Sequence, residues 1–275
     1  MADSDTEFEG SIPGIYDQYL APVIFEPYAI DLAERCSDLI GGELLETAAG
    51  TGVVTRALDR MLPVSVAIVA TDLKSAMLAY AAARTEREST RPEGRIAWQQ
   101  ADALALPFED GRFDAVVCQF GVMFFPKKVE AYQETRRVLK PGGRFVFNVW
   151  DRIETSEFAD VVSAAVASRF PDDPPDFLRR VPHGYHNTDR IVDELGAAAF
   201  SHVVVESIEL PTRANSPRDP AIGFCQGTPL RMEIEARDPS RLVAVTEAAT
   251  AAISARFGGG IVEGRSRAYV ITAIR

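Results

Sequence analysis

Leu44-Leu45-Glu46-Thr47-Ala48-Ala49-Gly50-Thr51-Gly52-Val53-Val54-Thr55 is the stretch that decides the fold of this 275-residue chain. The apolar pair reads as the end of a buried strand. The two glycines read as a tight turn, and the turn opens a helix. Residues 66–71 (VAIVAT) form a second apolar strand that ends in Asp72, 20 residues beyond Gly52. A βαβ unit with glycines after its first strand and an acid after its second binds a nucleoside. Gly50 and Gly52 let the backbone approach a ligand where a Cβ would collide. Asp72 can accept hydrogen bonds from two ribose hydroxyls. The competing reading is an ordinary α/β turn that contains two glycines.

The next question is which nucleoside. A dinucleotide fingerprint has Gly or Ala at its third position, for close helix–strand packing. Here that position is Thr55, and Glu46 sits in the strand before the turn. A carboxylate there would repel a pyrophosphate and attract an ammonium or sulfonium group.

Further motifs follow in order. Residues 96–104 read as a third strand ending in Asp102-Ala103. Leu106-Pro107-Phe108 leads to a Glu109-Asp110-Gly111 turn and a fourth strand over 115–119. Residues 138–150 (VLKPGGRFVFNVW) read as a helix end, a Pro141-Gly142-Gly143 stop and a fifth strand. The series E-x-A-x-G-T-G, Asp72, A-D-A-x-x-L-P-F-x-D-x-x-F-D and L-K-P-G-G-R resembles the class I S-adenosylmethionine-dependent methyltransferases, type 11 (ubiquinone/menaquinone-biosynthesis-like) group. The resemblance covers residues 40–150 and extends more loosely to both ends.

That resemblance implies the cofactor S-adenosyl-L-methionine and a set of roles. Glu46, Ala48, Gly50 and Gly52 line its methionine part, and Thr51 hydrogen-bonds from the same turn. Asp72 holds the ribose hydroxyls. Leu73 and Met77 flank the adenine, Asp102 meets its amino group, and Ala103 gives a backbone contact. Gln119 lies over the methionine part, with Phe120 and Gly121 at the pocket wall. Tyr16 or Tyr19 covers the site; packing on an amphipathic helix is the equal alternative. Met77 as plain core and Glu46 as a more distant supporting acid also stay open. His183 and His186 are the candidate bases, because they fall where the family places its substrate cover and imidazole titrates near neutrality. A surface or capping histidine is the alternative for each.

The implied architecture is a doubly wound, mostly parallel seven-stranded α/β sheet, Rossmann-like, with an antiparallel last strand and a helical cap. The chain reads as a single domain over 1–275, with 40–150 as cofactor core and 11–35, 152–186 and 211–239 as substrate cover. Outside the core, 15–40 reads as helix interrupted near Pro22 and Pro27, and 152–170 as helix. Residues 188–200 read as helix capped by Asn187 or Thr188, and 202–210 as strand. Residues 211–230 read as loop-rich, 240–257 as helix and 268–274 as the last strand.

A composition of 47% hydrophobic residues supplies a sizeable core. No apolar run is long enough for a membrane span, and the polar first ten residues do not resemble a signal peptide. Three cysteines without a metal spacing fit a reducing cytoplasm, so no metal is expected. A net charge of −11 disfavours a nucleic-acid partner. Residues 84–95 carry mixed charge, as a solvated helix end and loop do. The partner implied is a small-molecule methyl acceptor, with scope for a homodimer. Two other readings remain at this stage: a noncatalytic module that binds S-adenosylmethionine or S-adenosylhomocysteine, and a nicotinamide oxidoreductase, which Thr55 and Glu46 disfavour.

Overall fold

The computed structural model describes residues 5, 10, 12–88 and 94–275. Most of the polar first ten residues, and residues 89–93 of the mixed-charge run, therefore lie outside the described residues. The strands are β1 (Gly42–Glu46), β2 (Val66–Asp72), β3 (Ile96–Gln100), β4 (Phe113–Gln119), β5 (Leu139–Trp150), β6 (Ser201–Ala214) and β7 (Val262–Ile274). Among the described residues these seven form one sheet in the order β3-β2-β1-β4-β5-β7-β6.

β1 to β5 pair in parallel. The direction reverses at β7. Gly142 and Gly143 bond to Arg275 through the backbone, whereas Asp151 bonds to Arg267, so the partner number falls as β5 advances. β6 runs antiparallel to β7 by the same test, since Ser201 meets Ile274 and Arg213 meets Glu263. The central strands are apolar on both faces because helices cover both. Leu44, Leu45, Val116, Val117, Phe145 and Val146 are fully buried.

The helices are α1 (Ile12–Tyr19), α2 (Glu26–Glu34), α3 (Val53–Met61), α4 (Ser75–Glu88), α5 (Lys128–Val138), α6 (Glu157–Ala167), α7 (Phe177–Arg180), α8 (Thr188–Ala197), α9 (Arg218–Gln226), α10 (Leu230–Arg237) and α11 (Leu242–Phe257). Of the two prolines expected to interrupt the first helix, Pro22 falls in a π turn over Ala21–Phe25 that separates α1 from α2, whereas Pro27 sits in the first turn of α2, where no N–H donor is required. Asn187 caps α8, its side chain accepting the Arg190 N–H at 3.0 Å. The Pro-Gly-Gly stop falls within the span of β5. There the register jumps from Phe113 opposite Leu139 to Ala115 opposite Arg144, which accommodates the extra residues.

One expectation fails. Residues 211–230 are not a loop: β6 continues to Ala214 and α9 begins at Arg218. Pro217 and Pro220 fall before and in the first turn of α9, where a helix requires no N–H donor. Gly223 and Gly227 serve packing, since a Cβ on Gly223 would come within 2.8 Å of Leu20 and one on Gly227 within 3.0 Å of the Tyr16 nitrogen. The breaker residues thus start a helix and let α1 lie close against it.

The chain divides into two compact units. One comprises Tyr28–Val149, Asn187–Ser207 and Tyr269–Arg275; the other comprises Met1–Pro27, Trp150–His186 and Ile208–Ala268. Among the described residues no helix is long and apolar enough to cross a membrane.

Candidate functional site

The first unit contains the parallel strands, and their carboxyl ends carry the candidate site residues Glu46, Asp72 and Gln119. Glu46 pairs in register with Ala70 and Val117, Asp72 with Gln100, and Gln119 with Asn148. Side chains alternate along a strand, so Glu46, Asp72, Gln100, Gln119 and Asn148 lie on one face of the sheet. Connections lead one way from β1 and the other way from β4, and the crevice at such a reversal is where open α/β sheets bind ligands.

The turn after β1 is tied to the end of β2. Asp72 Oδ2 accepts the Gly50 N–H at 2.8 Å, and Oδ1 accepts the Lys74 N–H at 2.9 Å. Burial raises the Asp72 pKa, opposed by the N–H groups of Lys74 and Gly50. A carboxylate has about four lone-pair sites, so these bonds leave capacity for ligand hydroxyls. Gly50 has φ +56° and Gly52 φ +78°. A Cβ on Gly50 would meet only Met77 Cε, at 3.8 Å. One on Gly52 would lie 3.0 Å from Trp98 and 3.1 Å from Ala81. Gly50 is therefore the open face of the turn, and Gly52 packs it down. Ala48, at φ +53°, belongs to the same strained bend.

Glu46 is 1% exposed. Thr55 Oγ1 donates to its Oε2 at 2.5 Å, and Thr71 Oγ1 donates to its carbonyl at 2.9 Å. Burial drives the Glu46 carboxyl up to about 8, against the Thr55 hydrogen bond and the Arg56 charge. Thr55, which breaks the dinucleotide pattern, is thus the partner of the acid that also breaks it. Sequence reasoning missed this role; the signal was a polar residue in the first turn of α3, behind the strand acid. Thr51 is buried, and among the described residues its hydroxyl has no hydrogen-bond partner.

The other candidates surround this turn. Met77 is buried beside Gly50, and Leu73 is half exposed. Asp102 is exposed just beyond β3, its Oδ1 accepting the Leu104 N–H at 2.9 Å across a turn that includes Ala103. Gln119 ends β4, and Phe120 follows with φ +48°. A Cβ on Gly121 would lie 2.5 Å from Ala48 Cβ and 2.7 Å from Cys118 Sγ. The loop after β4 therefore rests directly on the turn after β1. Asn148, a single polar side chain in the apolar end of β5, holds that loop by accepting the Phe120 N–H at 2.9 Å. Sequence reasoning missed this residue too.

Tyr16, Tyr19, His183 and His186 belong to the second unit. Tyr16 stacks on Phe25 at 4.8 Å, Phe25 meets Trp150 at 6.1 Å, and Trp150 meets the His183 ring at 6.0 Å. Tyr19 is half-buried on α1. His183 is buried, with Nδ1 2.7 Å from the Asp151 carbonyl oxygen, and burial lowers its pKa to about 4. A carbonyl only accepts, so Nδ1 carries the proton and the ring is neutral at pH 7. His186 Nδ1 lies 2.8 Å from the His183 carbonyl oxygen.

Residues 45–147 match the family described as a methyltransferase domain. The chain is 34% identical over 143 residues to the demethylmenaquinone methyltransferase of Lactococcus lactis, covering 51% of this chain and 56% of that protein. It is 40% identical over 106 residues to the ubiquinone/menaquinone biosynthesis C-methyltransferase of Geobacter sulfurreducens, covering 38% and 41%. The chain thus spans about half the length, or less, of these curated relatives. In fold it is similar to Haemonchus contortus phosphoethanolamine N-methyltransferase 2, solved with S-adenosylhomocysteine. That likeness has TM-score 0.61 at 16% identity and covers all of this chain and 60% of that one. It is also similar to YcgJ from Bacillus subtilis, with TM-score 0.56 at 18% identity, covering 90% and 98%. With the glycine turn, its two acids and the reversal of strand order in place, residues 45–147 of this chain are similar to the methyltransferase domains of that family and of these relatives.

Proposed function

We propose that this chain binds S-adenosyl-L-methionine at the carboxyl ends of β1 to β4 and transfers a methyl group to a small-molecule acceptor. The observation that carries this reading is the Glu46–Gly50–Asp72 arrangement. A buried acid lies behind a glycine turn whose open face lacks a Cβ, and a second acid is anchored to that turn's N–H. The buried Thr51 hydroxyl, without a protein partner among the described residues, adds a polar group of the kind the cofactor would engage.

When bound, the cofactor supplies a methyl carbon made electrophilic by its sulfonium. The protein's part is placement. Glu46 attracts the amino end, Asp72 takes the ribose hydroxyls, and Asp102 with Leu73 and Met77 frames the base. Gln119, Phe120 and Gly121 bound the methionine end. Alignment of this kind supplies about 7–11 kcal/mol in well-organised systems. The second unit, with Tyr16 and Tyr19, carries acceptor recognition in this reading. His183 and His186 are the available bases. Because burial lowers the His183 pKa to about 4, a rate limited by that ring would fall only near that pH.

Thermal shift and calorimetry test the reading. S-adenosylmethionine and S-adenosylhomocysteine should raise Tm, by about 2.7 kcal/mol of stability at 100 times Kd, and NAD should not. Stabilisation by NAD alone overturns the cofactor assignment. Methyl release across a metabolite panel tests turnover, and binding with no transfer would reduce the chain to a cofactor-binding module.

A further inference from the structure

Asn148 stands out in Phe145-Val146-Phe147-Asn148-Val149-Trp150, the buried end of β5, as its only polar side chain. It is fully buried. The Phe120 N–H lies 2.9 Å from its Oδ1 and 3.2 Å from its carbonyl oxygen, so one donor faces two acceptors of the same residue. That N–H fixes the orientation of the amide, since only the oxygen can face a donor. The Nδ2 group is consequently turned away, and among the described residues it is buried with no hydrogen-bond partner. An orphaned buried donor costs stability, and an apolar residue of similar size would remove that cost. The carbonyl oxygen alone would still accept the Phe120 N–H. The Asn148 side chain is therefore not needed to satisfy the backbone there.

What it does is local. Phe120 is a bulky residue at φ +48°, a region that such residues rarely occupy without a constraint. The next residue, Gly121, presses on Ala48, itself at φ +53°, so the two bends face each other. Tyr28 meets the Phe120 ring edge-on at 5.3 Å and packs it from one side. We propose that Asn148 is a positioning residue of the cofactor cleft, whose side-chain oxygen draws the Phe120 N–H out of simple strand pairing and so sets the Phe120–Gly121 wall against the Ala48 turn. The inference rests on the cofactor reading above. In this proposal Asn148 acts through that wall.

S-adenosylhomocysteine titrated calorimetrically into wild type, Asn148→Leu and Asn148→Asp is the test, with Tm measured for each unliganded protein. Leucine removes both the side-chain acceptor and the orphaned donor. The expected result is a Tm equal to or above wild type with affinity weakened about tenfold. Aspartate keeps an acceptor for the Phe120 N–H and should recover most of that affinity. Wild-type affinity in Asn148→Leu overturns the proposal. So does a loss in Asn148→Leu that tracks a fall in Tm and is not recovered by Asn148→Asp, since that marks a merely structural residue. Failure of the wild type itself to bind would instead sink the cofactor reading, and this inference with it.

Discussion

Burial places the Glu46 carboxyl near 8 in the unliganded protein, with Thr55 and Arg56 only partly offsetting desolvation and Asp72 adding to it. At pH 7 about nine in ten of these carboxyls would carry a proton. The proposed cofactor brings an ammonium group to this acid, and an ammonium favours the ionised form. Binding should therefore expel close to one proton at pH 7. If only the ionised form binds well, affinity should rise roughly fifty-fold from pH 6 to pH 8 and then level off. Calorimetry of S-adenosylhomocysteine in buffers of different ionisation enthalpy counts the protons released. Glu46→Gln, which still offers Thr55 an acceptor, should abolish both the release and the pH slope.

The same group has a stability signature. Its folded pKa lies above the usual carboxylate value, so between 4.5 and about 8 the folded state binds the extra proton. The Glu46 contribution is complete below that window and is lost as pH rises through it. Glu46→Gln should therefore gain stability over wild type as pH rises towards 8. Flat affinity across pH 6–8 with no proton release would refute the placement of the amino group at Glu46.

Asp72→Ala should weaken S-adenosylhomocysteine binding at least ~10-fold by calorimetry, through lost charge-assisted bonds and through release of the Gly50 and Lys74 N–H groups it now holds. Gly121→Ala forces a Cβ to 2.5 Å from Ala48, so chemical denaturation should show a loss of about 1–3 kcal/mol. His183 is buried with its pKa lowered to about 4, so the unfolded state binds the extra proton between that value and 6.5. Its contribution, about 3 kcal/mol, is present above 6.5 and lost as pH falls. It is read as the difference between wild type and His183→Gln, because Glu46 titrates with opposite sign over part of that range; a pH-independent difference would place the His183 ring in contact with solvent.

The fold of the first unit was legible because its signals are short-range. Gly50 and Gly52 need positive φ, Asp72 closes a strand, and each can be read from a few neighbours. The helix α9 was not legible, although its residues are just as distinctive. Pro217 and Pro220 break a helix interior but suit a helix start, and only position separates the two. Gly223 reads as a loop residue until Leu20 is known to press on it, some 200 positions earlier in the chain. A local pattern cannot report a partner at that distance.

The site divides along the same line. The acids could be named as candidates from sequence, but their protonation could not be read there, because the Glu46 carboxyl depends on burial and on Thr55 from the next element. The same limit applies to the aromatic series Tyr16–Phe25–Trp150–His183, which draws on three separate stretches of chain. Alone, the tyrosine suggests packing and the histidine suggests a base. Joined in one unit, they put a neutral imidazole at the end of a run of rings. A ring kept neutral by burial is a poor proton store at pH 7, yet with its Nδ1 proton held by the Asp151 carbonyl it has a fixed tautomer and a fixed orientation. The surroundings of His183 thus fix its tautomer and orientation without making it a proton acceptor near neutrality, and methyl transfer by alignment requires no such acceptor.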